Sequence, residues 1–255
     1  MTRIISLANN VETSDRTLAG VCALLFTICT ALTIAGCRPM PAMQGMPMPG
    51  GWTMSMVWMR MPGQTWIQAG ASFLGMWIVM MAAMMLPSLT PMLWRCKSRL
   101  GRLTLLAGLG YFFMWTLLGL AVFPLGVVVA AIEMEQPAIA RVVPIAVSVV
   151  ILIAGAMQLT SWKAHHLACC RETESDASTA WRQGLRFGWH CISSCANLTA
   201  ILLVIGVMDL RAMAVVTAAI TAERLAPAGE RVAQAIGVVV IVAGLLLIAR
   251  VTGLA

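Results

Sequence analysis

Charge is what this chain has least of. Its 255 residues include 17 Lys and Arg and 10 Asp and Glu, so 11% are charged. A soluble domain carries roughly a quarter charged residues, and so little polar surface does not cover a globule of this size in water. A soluble enzyme is excluded, and a hydrophobic fraction of 60% with mean hydropathy +0.88 excludes a disordered chain. The net charge of +7 does not mark a nucleic-acid binder. That reading needs basic residues clustered on one face, and here they are scattered between apolar runs. Catalytic signatures are missing too: there is no Walker motif, nucleophile elbow, carboxylate pair or haem-attachment motif, so an enzyme is not expected. Lys97 and Lys163 lie at the ends of apolar runs, which excludes a mid-helix retinal lysine. No internal repeat or low-complexity linker divides the chain, and residues 1–255 read as a single integral membrane domain.

What is there instead is a series of apolar runs. A spanning helix needs about 20 mostly apolar residues. Thr17–Cys37, Met61–Trp94, Leu103–Ile132, Val142–Trp162, Phe187–Met208 and Val232–Ala249 meet that test. Leu210–Ala226 is a shorter candidate, with Arg211 placed to snorkel at one end and Glu223-Arg224 at the other. The expectation is an all-α, polytopic transmembrane helix bundle of about seven spans, or six if the short segment does not cross. With the N-terminus inside, twelve Lys and Arg fall on the inner side and five on the outer, the bias of a cytoplasmic N-terminus. The segment 38–65 is then a Met/Pro/Gly-rich outer loop and 163–186 a polar cytoplasmic loop. Ile34-Ala35-Gly36-Cys37 also reads as a lipoprotein cleavage box, whose use would lipidate Cys37 and leave six spans.

Eight cysteines do not make a disulfide framework in this topology. Only Cys37 reaches the outer face, Cys22 and Cys29 lie within the first helix, and Cys96, Cys169, Cys170, Cys191 and Cys195 gather inside, where thiols stay reduced. Cys191 and Cys195 are four residues apart and share one helix face. His166 and Cys170 repeat that spacing on the preceding segment. Convergence of the two pairs makes a Cys3His set that suits Zn(II), and whose thiolates also suit Cu(I). Read singly, each cysteine is equally a small packing residue and His165 and His166 are interfacial polar groups.

Methionine is abundant, at 20 residues. Met40, Met43, Met46, Met48, Met54, Met56, Met59 and Met61 fall in the outer segment among prolines and glycines, so no regular helix runs through it. Thioethers there suit Cu(I) or Ag(I) capture without deprotonation; otherwise they anchor a loop on the membrane with Trp52 and Trp58. In the second helix Met76, Met80 and Met84 form a stripe at i, i+4, i+8, with Met81 and Met85 beside it. The ladder from Met76 to Met85 covers about 13 Å of helix axis. It is either adaptable packing or an ion path, and Pro87 and Pro91 are expected to bend or end the helix below it.

Several of these segments together resemble a prokaryotic family of predicted metal-binding integral membrane proteins, a domain of unknown function. The likeness runs from Trp66 to Pro227. It is carried by Trp77…Met80…Ala83-Met84-Met85-Leu86-Pro87, by Gln158-Leu159-Thr160 with Lys163, by Cys191 and Cys195, by Gly206-Val207-Met208-Asp209, and by Glu223-Arg224. His166 stands where the family tends to have a cysteine, and Ser194-Cys195-Ala196 replaces a Cys-Cys-Trp run. The resemblance implies metal binding and a multi-pass place in a prokaryotic inner (plasma) membrane.

Polar residues within the spans are functional candidates. His190, Ser194 and Gln158 are read as groups that orient ligands, and Asn197 as an interhelical hydrogen-bonding residue. Asp209 and Glu223 are read as solvated helix ends. The sequence therefore points to a membrane protein handling copper(I) or a similar soft metal by uptake, transfer or delivery. Its metal ligands would be the inner His166, Cys170, Cys191 and Cys195 and the ladder Met76, Met80, Met81, Met84 and Met85. A metallochaperone or a membrane protein would be its partner besides the bilayer. The alternatives are a non-transporting scaffold or sensor with a structural zinc site, and a subunit of a membrane redox complex.

Overall fold

In a computed structural model, residues 2–37, 45–100, 103–170 and 179–253 are described. Met40, Met43 and residues 171–178 of the inner polar segment lie outside them, as does the side chain of Cys96. Among the described residues there are eight α-helices: α1 (Thr2–Cys37), α2 (Trp66–Leu100), α3 (Thr104–Glu135), α4 (Pro137–Gln158), α5 (Ser161–Cys169), α6 (Ala180–Ile205), α7 (Leu210–Leu225) and α8 (Gly229–Val251). The all-α bundle is thus as expected. Six of the helices, α1 to α4, α6 and α8, carry stretches long and apolar enough to cross a membrane. The short candidate α7 is a helix of 16 residues.

Backbones approach closely where side chains are smallest, as membrane helices do. A Cβ on Gly110 would sit 2.8 Å from the carbonyl oxygen of Trp181, which brings α3 onto α6. Gly155 and Gly237 do the same for α4 and α8, each facing the other's carbonyl. The core between α2, α3, α6 and α7 holds Trp77, Tyr111, Trp115, Leu202 and Ile220. The Trp77 indole N–H donates to the Trp115 carbonyl at 2.9 Å. Outward faces carry exposed apolar residues such as Leu105, Leu125, Val215 and Val239, a surface compatible with lipid.

Three expectations are corrected. Pro87 and Pro91 do not end α2, which runs on to Leu100. The prolines free only the carbonyls of Ala83 and Pro87, and the helix continues on its other backbone bonds; beside them the Ser88 and Thr90 hydroxyls donate to the carbonyls of Met85 (3.0 Å) and Leu86 (2.7 Å). The polar segment 163–186 is helical at both ends, within α5 and α6. Thr160 starts α5 by accepting from the Lys163 amide, which gives the chain a new helix just past the end of α4. The Met/Pro/Gly-rich segment is also more ordered than a loop: β1 (Met46–Met48) pairs antiparallel with β2 (Trp52–Met54), and a 3-10 turn follows at Met56–Trp58.

Candidate metal centre

The site is assembled where α2, α3, α5, α6 and α7 meet. Helix α6 brings Cys191, Ser194 and Cys195, all buried. The Ser194 hydroxyl donates to the Cys191 carbonyl at 3.0 Å, a helical back-bond that holds its oxygen between the two thiols. Cys195 Sγ lies 3.7 Å from that oxygen and Cys170 Sγ 3.9 Å from it. From α7, one guanidinium nitrogen of Arg224 reaches Ser194 Oγ (3.1 Å), Cys195 Sγ (3.4 Å) and Cys170 Sγ (3.8 Å). A second donates to Ser88 Oγ at 3.4 Å. The Arg224 Nε finds no partner, so a buried donor is left over inside the thiol cluster. Cys191 Sγ meets the Tyr111 hydroxyl at 2.9 Å and lies 4.0 Å from Met85 Sδ.

Met85 is the lower end of the α2 column. Met80, Met81, Met84 and Met85 are all buried in the core, so the predicted stripe faces protein rather than lipid, and Met76 packs against the same core. The column therefore meets the thiol cluster at Met85, whose Sδ is 4.0 Å from Cys191 Sγ.

A buried ion pair borders this run. Lys163 Nζ and Glu223 Oε2 are 2.7 Å apart, each side chain about 2% exposed. The lysine also donates to the Ser194 carbonyl, and Gln158 Nε2 donates to Glu223 Oε1 at 2.6 Å. Glu223 is thus no solvated helix end. Gln158 supports the ion pair rather than the thiols. Asp209 does cap a helix, accepting from the amides of Arg211 (2.8 Å) and Ala212 (3.0 Å). Asn197 makes the interhelical bond expected of it, to the Ala154 carbonyl at 3.2 Å.

The Cys3His set is not assembled. Among the described residues, no three His, Cys, Asp or Glu side chains are grouped to hold a metal. The reason is one of register. Residues 166 and 170 of the α5 segment face 190 and 194 of α6, so His166 Nδ1 meets His190 Nδ1 at 3.2 Å while Cys170 meets Ser194. Cys191 and Cys195 sit one residue, about 100°, further round α6, and turn to Tyr111, Met85 and Arg224 instead. His166 is drawn out of the thiol cluster and stacks edge-on to Trp162, with centroids 4.4 Å apart. Burial lowers its pKa from the usual imidazole value, helped by the neighbouring His165. Burial raises the Cys170 thiol, against the pull of Arg224 in the other direction. The Cys170 side of the cluster opens into a cleft lined by Ser88, Pro91, Met92, Arg224 and Pro227.

Sequence reasoning missed Arg224, Tyr111 and the Lys163–Glu223 pair as site residues. Signals were present. The chain has a single tyrosine, in the middle of an apolar run, where a buried hydroxyl needs a partner. Lys163 and Glu223-Arg224 end apolar runs on one side of the predicted topology. Of the methionines in the Met/Pro/Gly-rich segment, Met48 and Met54 are buried with Ala130 and Ala140, whereas Met46 and Met61 are exposed. Trp52 turns inward, donating to the Ala140 carbonyl at 2.8 Å.

Such a bundle, with thioethers beside thiols and a guanidinium, is that of an all-α protein whose buried core is rich in sulfur. The model of the PpoB2 copper chaperone family matches residues 74–247, more than half of the chain, and the chain belongs to that family. No curated protein and no solved structure matches it. Copper handling is accordingly its general role. The matched stretch contains the methionine column, Lys163, Cys170, Cys191, Cys195, Glu223 and Arg224, and it leaves out Cys37.

Proposed function

We propose that the protein is a membrane-embedded, non-catalytic copper(I) handler that passes the ion between the α2 thioether column and the Cys170/Cys191/Cys195 cluster. The observation that carries this reading is the junction of Met85 Sδ and Cys191 Sγ at 4.0 Å, which joins the two sulfur arrays without a gap. Thioethers take Cu(I) without losing a proton, and thiolates bind it more tightly. Placing Cu(I) between Cys191 and Cys195 would release two protons and leave a complex of net charge −1. Arg224 is the countercharge for it, and its unpartnered Nε a donor for it. Zinc is the poorer fit, because a structural zinc site wants four protein donors closed around the ion. With His166 turned away, the thiol pair of Cys191 and Cys195 beside a guanidinium suits a low-coordinate monovalent ion. The positive-inside bias of the sequence supports a cytoplasmic thiol end and an outer hairpin end. The cleft beside Cys170 is then the exchange point with a cytoplasmic metallochaperone.

The test is metal analysis of the purified full-length protein after anaerobic exposure to equal Cu(I) and Zn(II). The expected result is bound copper that falls in a Cys191→Ser/Cys195→Ser variant. One equivalent of zinc with no copper overturns the proposal.

A further inference from the structure

The motif Gly206-Val207-Met208-Asp209 has no part in the thiol centre, and Cys37 lies outside the family match. The fold brings them together. Gly206 has φ +141°, a conformation side chains rarely adopt, and its N–H closes α6 on the Leu202 carbonyl at 3.0 Å. Asp209 then caps α7 at once, accepting from Arg211 and Ala212. A turn fixed at both ends leaves Met208 little freedom. Its Sδ lies 3.7 Å from Cys37 Sγ at the last residue of α1, a thiol only 2% exposed. A third sulfur is close by. A Cβ on Gly36 would sit 3.0 Å from Met76 Sδ, so the missing side chain lets that thioether lie against α1 one residue before Cys37.

We infer that Cys37, Met208 and Met76 form a second soft-metal site, for a monovalent ion such as Cu(I) or Ag(I), at the opposite end of the methionine column from the thiol cluster. Metal–thiolate bonds of about 2.3 Å put the sulfurs of a trigonal or tetrahedral site about 3.8–4.0 Å apart. The thiol and thioether already stand close to that spacing. One thiolate and two thioethers give a neutral Cu(I) complex, with one proton released from Cys37, and a neutral complex needs no buried countercharge. None of the three residues contacts Arg224 or the buried ion pair among the described interactions. A neutral site feeding a charged one would bias the ion toward the thiol end. Met76 is both a donor here and the first rung of the column, so the site is the column's mouth. The inference rests on the copper(I) reading above for its cargo, though not for its geometry.

The experiment is an anaerobic Cu(I) titration of the full-length protein in detergent against a chromophoric Cu(I) chelator. Wild type is compared with Cys37→Ser, Met208→Leu and Cys191→Ser. Met208→Leu keeps side-chain volume and so keeps the packing, which preserves the test if Cys37→Ser folds poorly. The expected result is that Met208→Leu and Cys37→Ser each weaken one equivalent by tenfold or more. Cys191→Ser should weaken a different equivalent, and Cys37→Ser/Cys191→Ser both. Superposition of the Met208→Leu curve on wild type overturns the second site. Loss in Met208→Leu with none in Cys191→Ser supports the second site and overturns the thiol centre instead.

Discussion

Arg224 offers the sharpest handle on the thiol centre. Its side chain is within 3.4 Å of Cys195 Sγ and 3.8 Å of Cys170 Sγ. Two unit charges about 4 Å apart attract by about 4 kcal/mol at an effective dielectric of 20. The charge of a Cu(I) bis-thiolate is spread over two sulfurs, and the cleft beside Cys170 admits water, so about half of that survives. A loss of about 2–3 kcal/mol corresponds to a drop in affinity of roughly 30- to 150-fold. Arg224→Gln removes the charge while keeping hydrogen-bonding capacity toward Ser194. Arg224→Lys keeps the charge but cannot span Ser88, Ser194 and both thiols, and should fall between the two. The assay is competition with a chromophoric Cu(I) chelator at neutral pH on full-length protein. Arg224→Gln binding within threefold of wild type would refute the idea that the guanidinium balances a thiolate complex.

Two further outcomes are expected. Lys163→Met and Glu223→Gln each strand a buried charge or dipole and should destabilise by about 3 kcal/mol in detergent unfolding, while the double variant recovers most of the loss; additive single effects would show that the two residues do not act as a pair. For His166, the sign follows from its lowered pKa: the unfolded chain takes up the proton more readily, so stability should fall as pH drops below the ordinary imidazole value near 6.5. Thermal unfolding between pH 7.5 and 5 should show a shallower decline in His166→Gln, and parallel profiles would count against the assignment.

Much of the fold was legible because long apolar helices announce themselves by length and composition. The runs beginning at Leu103 and at Val232 match α3 and α8 closely, and Thr17–Cys37 matches the apolar part of α1, which itself begins at Thr2. Even α7 was readable, since Arg211 and Glu223-Arg224 bracket it. The breaks were harder. Nothing in composition says that Pro87 and Pro91 are carried through α2, because that depends on what packs beside them. The split between α4 and α5 turns on a single capping hydroxyl, Thr160.

The site was legible as a set of residues but not as a set of contacts. The i,i+4 spacing correctly paired Cys191 with Cys195 on α6, and His166 with Cys170. It could not say which stripe of α6 faces α5. The answer, 190 and 194 rather than 191 and 195, comes from how α5 is turned by its buried inner face of Lys163 and Leu167. That one-residue offset sends His166 to His190 and leaves the thiols to Arg224. The methionine column was easier to place, since a stripe at i, i+4, i+8 on an apolar helix needs only to know whether it faces inward.

The consecutive residues Glu223 and Arg224 show why the ion pair matters to the thiols. Neighbours on a helix point about 100° apart, so the two opposite charges serve different partners. Glu223 is occupied by Lys163 and Gln158, while Arg224 is directed to Ser88, Ser194, Cys170 and Cys195. Because Lys163 neutralises the carboxylate, the positive charge of Arg224 remains available to the cluster. Lys163 also donates to the Ser194 carbonyl, which ties the ion pair to the helix that carries both thiols. Remove Lys163 and the stranded Glu223 carboxylate becomes a competing anion beside the guanidinium. The same Lys163→Met variant that loses stability should therefore also bind Cu(I) more weakly. Lys163→Met/Glu223→Gln should regain affinity together with stability, because the competing anion is gone while Arg224 is untouched.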